Sequence, residues 1–130
     1  MHLAATRIIT DDVEGLVAFY EKVTGVAANR LHPLFAEFVT SGGTLAIASS
    51  STAPLLGENV VEAGVNRSVM LDFHVDDVDA LYPTLTQVVD HFVNEPTTMP
   101  WGNRSLLFRD PDGNLVNFFT PVATPAAPAQ

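Results

Sequence analysis

The chain contains no cysteine, which excludes disulfide bonds and every zinc site built on thiolates. Cations are scarce. Lys22 is the only lysine, and the six basic residues face 15 acidic ones, for a net charge of −9. A nucleic-acid surface needs Lys and Arg along the phosphates, so no nucleic-acid partner is expected. Long apolar runs are missing too. No stretch approaches the roughly 18 residues of a membrane helix, and the N-terminus has no basic segment leading into an apolar one. No membrane partner and a cytoplasmic location are therefore expected. P-loop, Rossmann glycine and Ser-His-Asp patterns are all absent. What is present is a hydrophobic content of 47% in 130 residues, enough for one folded domain with a core.

The chain also says nearly the same thing twice. Residues 10–17, Thr-Asp-Asp-Val-Glu-Gly-Leu-Val, are echoed by residues 75–82, Val-Asp-Asp-Val-Asp-Ala-Leu-Tyr, at an offset of 65. Phe38-Val-Thr-Ser-Gly-Gly-Thr-Leu45 is echoed by Phe108-Arg-Asp-Pro-Asp-Gly-Asn-Leu115, at an offset of 70. Two signals in the same order predict two copies of one module. Each copy is about 60 residues, small for a core of its own.

Within the first module, residues 2–10 read as a strand. Asp11 or Asp12 caps a helix whose apolar face is Val13, Leu16, Val17, Tyr20 and Val23, and Gly25 ends it. A weak strand over 27–31 precedes a hairpin of 35–40 and 44–49 around Ser41-Gly42-Gly43. Residues 51–66, rich in Ser, Pro, Gly and Asn, form the connector. The second module, 67–121, repeats the plan. A strand over 67–75 leads to a helix capped by Asp76 or Asp77, with Val78, Leu81, Leu85, Val88 and Val89 on its apolar face. Pro83 falls inside and should kink the helix or shift its start. A short strand over 91–94, a loop over 95–102 and a closing hairpin of 104–109 and 115–120 follow. Residues 122–130, rich in Pro and Ala, read as a disordered tail. The fold class is α+β: two βαβββ modules forming a cup-shaped mixed sheet with helices on the outer face.

Asp12-Val-Glu-Gly-Leu-Val-Ala-Phe-Tyr20, Gly25 and above all Phe108-Arg-Asp-Pro-Asp-Gly-Asn-Leu-Val-Asn-Phe118 resemble the vicinal oxygen chelate superfamily, which includes glyoxalase I, extradiol dioxygenases, fosfomycin-resistance enzymes and bleomycin-resistance proteins. The resemblance covers roughly residues 3–121 and implies paired βαβββ modules, usually in a homodimer. It also implies four metal-ligand positions, one on the first and one on the last strand of each module. Carried over by register, these fall on Ala5, Ile47, Met70 and Asn117. Ala, Met and Ile do not bind a hard divalent ion, and Asn alone is a poor ligand. No metal and no other cofactor are therefore expected. His2, His32, His74 and His91 fall on different elements and do not replace the missing ligands.

Met99-Pro-Trp-Gly-Asn-Arg104 resembles the bleomycin-resistance branch in particular. There a matching Trp lines a groove for flat heteroaromatic rings, helped by phenylalanines of the earlier hairpin. That resemblance implies ligand contacts at Trp101 and at Phe35 or Phe38. Arg7 shares the strand parity of Ala5, where it would pair with Asp72 or hold an anionic ligand. Asp72 and His74 share the parity of Met70, making a candidate acid–base pair. The expected function is thus a metal-independent protein binding a flat or cationic small molecule. The alternatives are an enzyme of the same fold, a lyase, isomerase or dioxygenase-like protein using Asp72 and His74 or relocated ligands such as Glu37, and a pure interaction domain.

Overall fold

The computed structural model describes residues 1–122. The Pro/Ala-rich tail expected from residue 122 lies, from 123 on, outside the described residues. The chain forms two compact units, one of Met1–Asn66 with Pro111–Gly113, the other of Arg67–Asp110 with the chain from Asn114 on. Each carries the expected β-α-β-β-β order and one four-stranded mixed sheet.

In the first unit, β1 (Thr6–Thr10) leads into α1 (Val13–Thr24), then β2 (Asn29–His32), β3 (Phe35–Val39) and β4 (Thr44–Ser49). The sheet order is β1-β4-β3-β2. β1 lies parallel to β4, a pairing that the long connection through α1, β2 and β3 allows. Asp12 is the N-cap of α1: its carboxylate accepts from the Gly15 N–H at 2.9 Å. At the other end Gly25 takes φ +72 and returns its N–H to the Glu21 carbonyl, a left-handed turn that a side chain would strain. α1 buries Val13, Leu16, Val17, Phe19, Tyr20 and Val23. The Tyr20 ring meets that of Phe38 on β3 at 6.1 Å, which identifies the sheet face covered by the helix.

The second unit repeats this with β5 (Met70–His74), α2 (Val78–Leu85), β6 (Thr97–Thr98), β7 (Asn103–Arg109) and β8 (Leu115–Pro121), in the order β5-β8-β7-β6. Asp77 caps α2, accepting from the Ala80 N–H at 3.2 Å. Pro83 neither shifts the start nor leaves the helix its expected length. α2 ends at Leu85, two residues after a proline that gives no N–H to the preceding turn. Val88 and Val89 continue as turns bonded back to the Leu85 carbonyl. An aromatic chain marks the helix side: Tyr82 on Phe92 at 5.4 Å, Phe92 on Phe108 at 6.0 Å, Phe108 on Phe118 at 5.1 Å and Phe73 on Phe118 at 5.5 Å.

Both helices are tied to their sheets by equivalent acids. Glu14 takes a bidentate bond from Arg30 of β2, at 3.0 and 2.8 Å. Asp79, its counterpart at the offset of 65, takes one from Arg104 of β7, at 2.6 and 2.9 Å.

The strand expected over 91–94 is reduced to a single bridge, Phe92 with Phe108. The reason is local: the Leu107 N–H is taken at 2.8 Å by the Asn94 side-chain oxygen, which displaces a backbone partner from the ladder. Regular pairing resumes at β6, inside the segment expected as loop. A 3₁₀ helix, Ser50–Leu55, opens the expected connector.

Candidate functional site

Alternation along the strands assigns every candidate to a face, because register partners share one. In the first unit Phe38 pairs with Leu45, and Ala36 with Ile47. All four are buried on the face that α1 covers. The opposite, helix-free face carries Arg7, paired with Ala46, and Phe35, paired with Ala48, with Glu37 flanking Ala46 on the other side.

Two sequence expectations change here. Phe38, expected beside a ligand, is 1% exposed and packs on Tyr20; it is a core residue. Ile47, expected at a ligand position, is fully buried on the helix side, and the helix-free register position on β4 is Ala46. The cause is one residue in a turn. Residues 40–43 join β3 to β4, whereas residues 110–114 join β7 to β8. The repeat offset is therefore 65 for the first strands and 70 for the third, but 71 for the last. A slip of one residue transfers a side chain to the other face of a sheet.

Phe35 stays on the helix-free face, half-buried, with the Arg7 guanidinium 5.7 Å from its ring centroid. Arg7 is thus engaged in a cation–π contact.

The second unit's helix-free face holds three cross-strand rows. Met70, Leu115 and Arg109 form the first; Asp72, Asn117 and Leu107 the second; His74, Phe119 and Ser105 the third. Met70, Asp72 and His74 are exposed along the edge strand β5. Asn117 Nδ2 donates to Asp72 Oδ1 at 3.0 Å. The His74 ring lies flat on Phe119, with centroids 5.3 Å apart and planes 14° off parallel. Asp72 and His74 share the face, but each takes its contact from β8. The sequence reading missed Phe119, which stands two residues beyond Asn117 and so on the same face; the two-residue period carries that signal.

Trp101 sits in the turn between β6 and β7, closed by the Gly102 N–H donating to the Met99 carbonyl at 3.0 Å. It is 72% exposed, so it does not pack under the loop.

The residues present do not fit a divalent metal. On the two helix-free faces the repeat-equivalent positions carry Ala5 and Ala46, Met70 and Asn117. Only Asn117 offers an oxygen, and one neutral amide does not hold such an ion. Glu37 stands on a row with Asn29, Ala46 and Arg7, one neutral amide and a cation, which do not complete a ligand set. Among the described residues no three of His, Asp and Glu are grouped so as to hold a metal ion. No described helix is long and apolar enough to cross a membrane.

The sequence matches the family model described as Glyoxalase/Bleomycin resistance protein/Dioxygenase superfamily over residues 2–118. The chain belongs to this superfamily. It is 29% identical over 125 residues to the uncharacterized protein YraH of Bacillus subtilis (strain 168), covering 92% of this chain and 98% of that one. Its fold is similar to that of a glyoxalase/bleomycin resistance protein/dioxygenase from Nocardioides, with a TM-score of 0.79 at 23% identity, over 100% of this chain and 89% of that one. A glyoxalase/bleomycin resistance protein/dioxygenase family enzyme from Burkholderia phytofirmans PsJN also gives 0.79, at 20% identity over 92% and 98% of the two chains.

Proposed function

We propose that this superfamily member is a metal-independent binding protein for a flat or cationic small molecule, acting in the cytoplasm as a homodimer. One observation carries the reading. The helix-free positions equivalent across the repeat hold Ala5, Ala46, Met70 and Asn117, which offer one neutral oxygen where metal chemistry needs several strong donors. Three features support the ligand class. Trp101 presents its ring to solvent, the Arg7–Phe35 and His74–Phe119 pairs add flat surfaces, and a net charge of −9 attracts cations. Exposed Leu55, Leu56 and Val60 support an apolar contact between two copies.

The test uses Trp101, the only tryptophan, as its own reporter. Chelator-treated protein is titrated with a panel of flat heteroaromatics, cationic and neutral, bleomycin among them, and fluorescence is followed. Saturable quenching, equal in treated and untreated protein, is expected. Stoichiometric divalent metal in the purified protein, or no response to any compound, overturns the reading.

A second reading, catalysis without metal, has one specific support: Asp72 and His74 are exposed on one face, two residues apart on β5. It requires turnover of a bound compound that disappears in His74→Gln. Binding that survives that substitution with no product formed favours the first reading.

A further inference from the structure

Trp101 is carried by a turn that follows the least anchored strand of its sheet. β6 has two residues, both exposed, and two pairs with β7: Thr97 with Ser105 and Thr98 with Arg104. The Met99 N–H bonds to the Asn103 carbonyl at 2.7 Å. Antiparallel alternation therefore leaves Thr98 and Arg104 as the pair that exchanges no backbone bond and whose side chains stand closer together. The turn beyond closes on itself through the Gly102 N–H and the Met99 carbonyl, with Gly102 at φ +97. Its β7 side is also held by the Val122 N–H on the Gly102 carbonyl at 3.0 Å. Its β6 side depends on a side chain, that of Arg104.

Arg104 Nε and Nη2 donate to the two Asp79 oxygens at 2.6 and 2.9 Å, and Nη1 donates to Thr98 Oγ1 at 3.1 Å. One edge of the guanidinium is thus spent on the first turn of α2, and the remaining nitrogen on the strand that leads into the Trp101 turn. A guanidinium is a flat, rigid fork, so seating one edge on a carboxylate fixes where the third nitrogen points. Arg104 shares the parity of the buried Leu106 and Phe108, so it lies on the helix side and can reach a ligand only through Trp101. The first unit lacks this bridge. Arg30 makes the same bidentate contact with Glu14, but its further bond goes to the Pro33 carbonyl, just past its own strand, at 3.2 Å. We infer that Arg104 is a positioning residue for Trp101: by joining Asp79 of α2 to Thr98 of β6 it holds that strand, and with it the direction in which the turn presents the indole ring. Its consequence for binding rests on the small-molecule reading above. A ring held in place beforehand does not have to be ordered when a ligand arrives. An exposed ion pair adds little to global stability, so the effect is one of local order.

Trp101 is the only tryptophan, so time-resolved fluorescence anisotropy of the ligand-free full chain reads its motion directly. Asp79→Asn and Arg104→Gln are each expected to raise the amplitude of the fast, sub-nanosecond decay at least about twofold. Arg104→Lys should recover only part of the difference, because an ammonium lacks the fork that joins two partners. Glu14→Gln removes the equivalent first-turn acid of the other unit and should leave the anisotropy unchanged. Proflavine, flat and cationic, is the probe for calorimetric titration. Asp79→Asn should weaken it by about three- to tenfold, the cost of ordering one side chain on binding. Thr98→Val, which keeps every charge, should act in the same direction. Equal anisotropy in the wild type and the Asp79 and Arg104 variants overturns the inference, as does an equal rise in Glu14→Gln. A freed ring with undiminished proflavine affinity also overturns it and leaves the small-molecule reading standing. If the anisotropy responds as expected while neither proflavine nor any compound of the panel binds, the small-molecule reading falls and Arg104 stands as the residue that holds the turn.

Discussion

Ala46 of β4 and Asn117 of β8 are the same position in two modules: Ala46 stands opposite Arg7, and Asn117 opposite Asp72. Their separation is 71 residues, whereas Arg7 and Asp72 are 65 apart. Between β3 and β7 the offset is still 70, so the extra residue lies in the hairpin turn after β7. Everything beyond that turn moves by one register step, which is why Ile47 points at the helix and Ala46 away from it.

That assignment makes Ile47 a core residue with no role on the ligand face. Ile47→Ala is expected to destabilise the protein by about 2–5 kcal/mol, the cost of deleting buried aliphatic volume and leaving a cavity. Ligand quenching of Trp101 should be unchanged under conditions where the variant is folded. Urea unfolding and fluorescence titration measure the two separately.

Phe35 and Phe38 are both on β3, three residues apart, and should answer in opposite ways. Phe38 packs against Tyr20 with 1% exposure, so Phe38→Ala is expected to cost about 3–5 kcal/mol. Phe35 is half-buried beneath Arg7. Phe35→Ala should cost clearly less than Phe38→Ala, because only part of the Phe35 ring is removed from water. Under the proposed function it should weaken ligand binding. Chemical denaturation ranks the two, and equal stability losses would contradict the face assignment.

The fold was largely legible in the sequence because each module punctuates itself. Asp12 and Asp77 start the helices, Gly25 ends the first, and Asp110-Pro111-Asp112-Gly113 turns the last hairpin. These are local backbone devices with fixed residue preferences. The site was less legible because face depends on register, and register depends on counting residues through turns. The 40–43 and 110–114 turns differ by one residue while sharing a glycine, and aligning them on that glycine hides the insertion. Phe38 illustrates the same limit: an aromatic residue on a strand reads alike whether it faces a ligand or a helix until its neighbours' parity is known. The strand expected over 91–94 failed for another reason. A side-chain oxygen, that of Asn94, competes for a ladder N–H, and such competition follows from three-dimensional reach.

The turn after β7 is held by a buried side-chain pair. Asp110 accepts from the Asn114 N–H at 2.9 Å and from Asn114 Nδ2 at 2.8 Å, and each residue is 4% exposed. Asn114→Ala leaves a buried carboxylate oxygen without that donor, so a loss of about 1–3 kcal/mol is expected. Gly113 has φ +86; Gly113→Ala strains the same turn and should cost about 1 kcal/mol. Thermal unfolding of both single variants and the double variant checks this. Because the two positions share one turn, their effects should not add.

The two helix-to-sheet ion pairs predict a specific acid response. The Arg30 guanidinium, first by its hydrogen bond and then by its charge, holds the Glu14 carboxyl below its ordinary value of 4.5. Arg104 likewise holds Asp79 below 3.8, chiefly through its hydrogen bond. A carboxyl whose folded value is depressed contributes stability that is complete above its unfolded value and is lost as the pH falls through the folded one. The contribution of these pairs should therefore be full above about pH 5 and decline below pH 4.5 for Glu14 and 3.8 for Asp79. Both carboxylates are solvent-exposed, so the effect is small and screened by salt. Urea midpoints measured from pH 6 to 3 should fall less steeply in the Glu14→Gln and Asp79→Asn double variant than in the wild type. Identical slopes would show that the pairs contribute nothing.

Trp101 offers the cleanest separation of stability from function. At 72% exposure its ring has little core contact to lose, and substitutions at such positions usually stay within about 0.5 kcal/mol. The turn that carries it is held by main-chain bonds, Gly102 N–H to the Met99 carbonyl and Met99 N–H to the Asn103 carbonyl at 2.7 Å, which Trp101→Ala leaves intact. The unfolding midpoint should therefore be unchanged. A flat aromatic ligand that stacks on the indole should bind at least fivefold more weakly to the variant in calorimetry, where the reporter is not the missing residue. Trp101→Phe, which keeps a flat ring, should restore most of the affinity. A stable Trp101→Ala variant with undiminished affinity would remove Trp101 from the site and leave the helix-free face of β5 and β8 as the part of the proposal still standing.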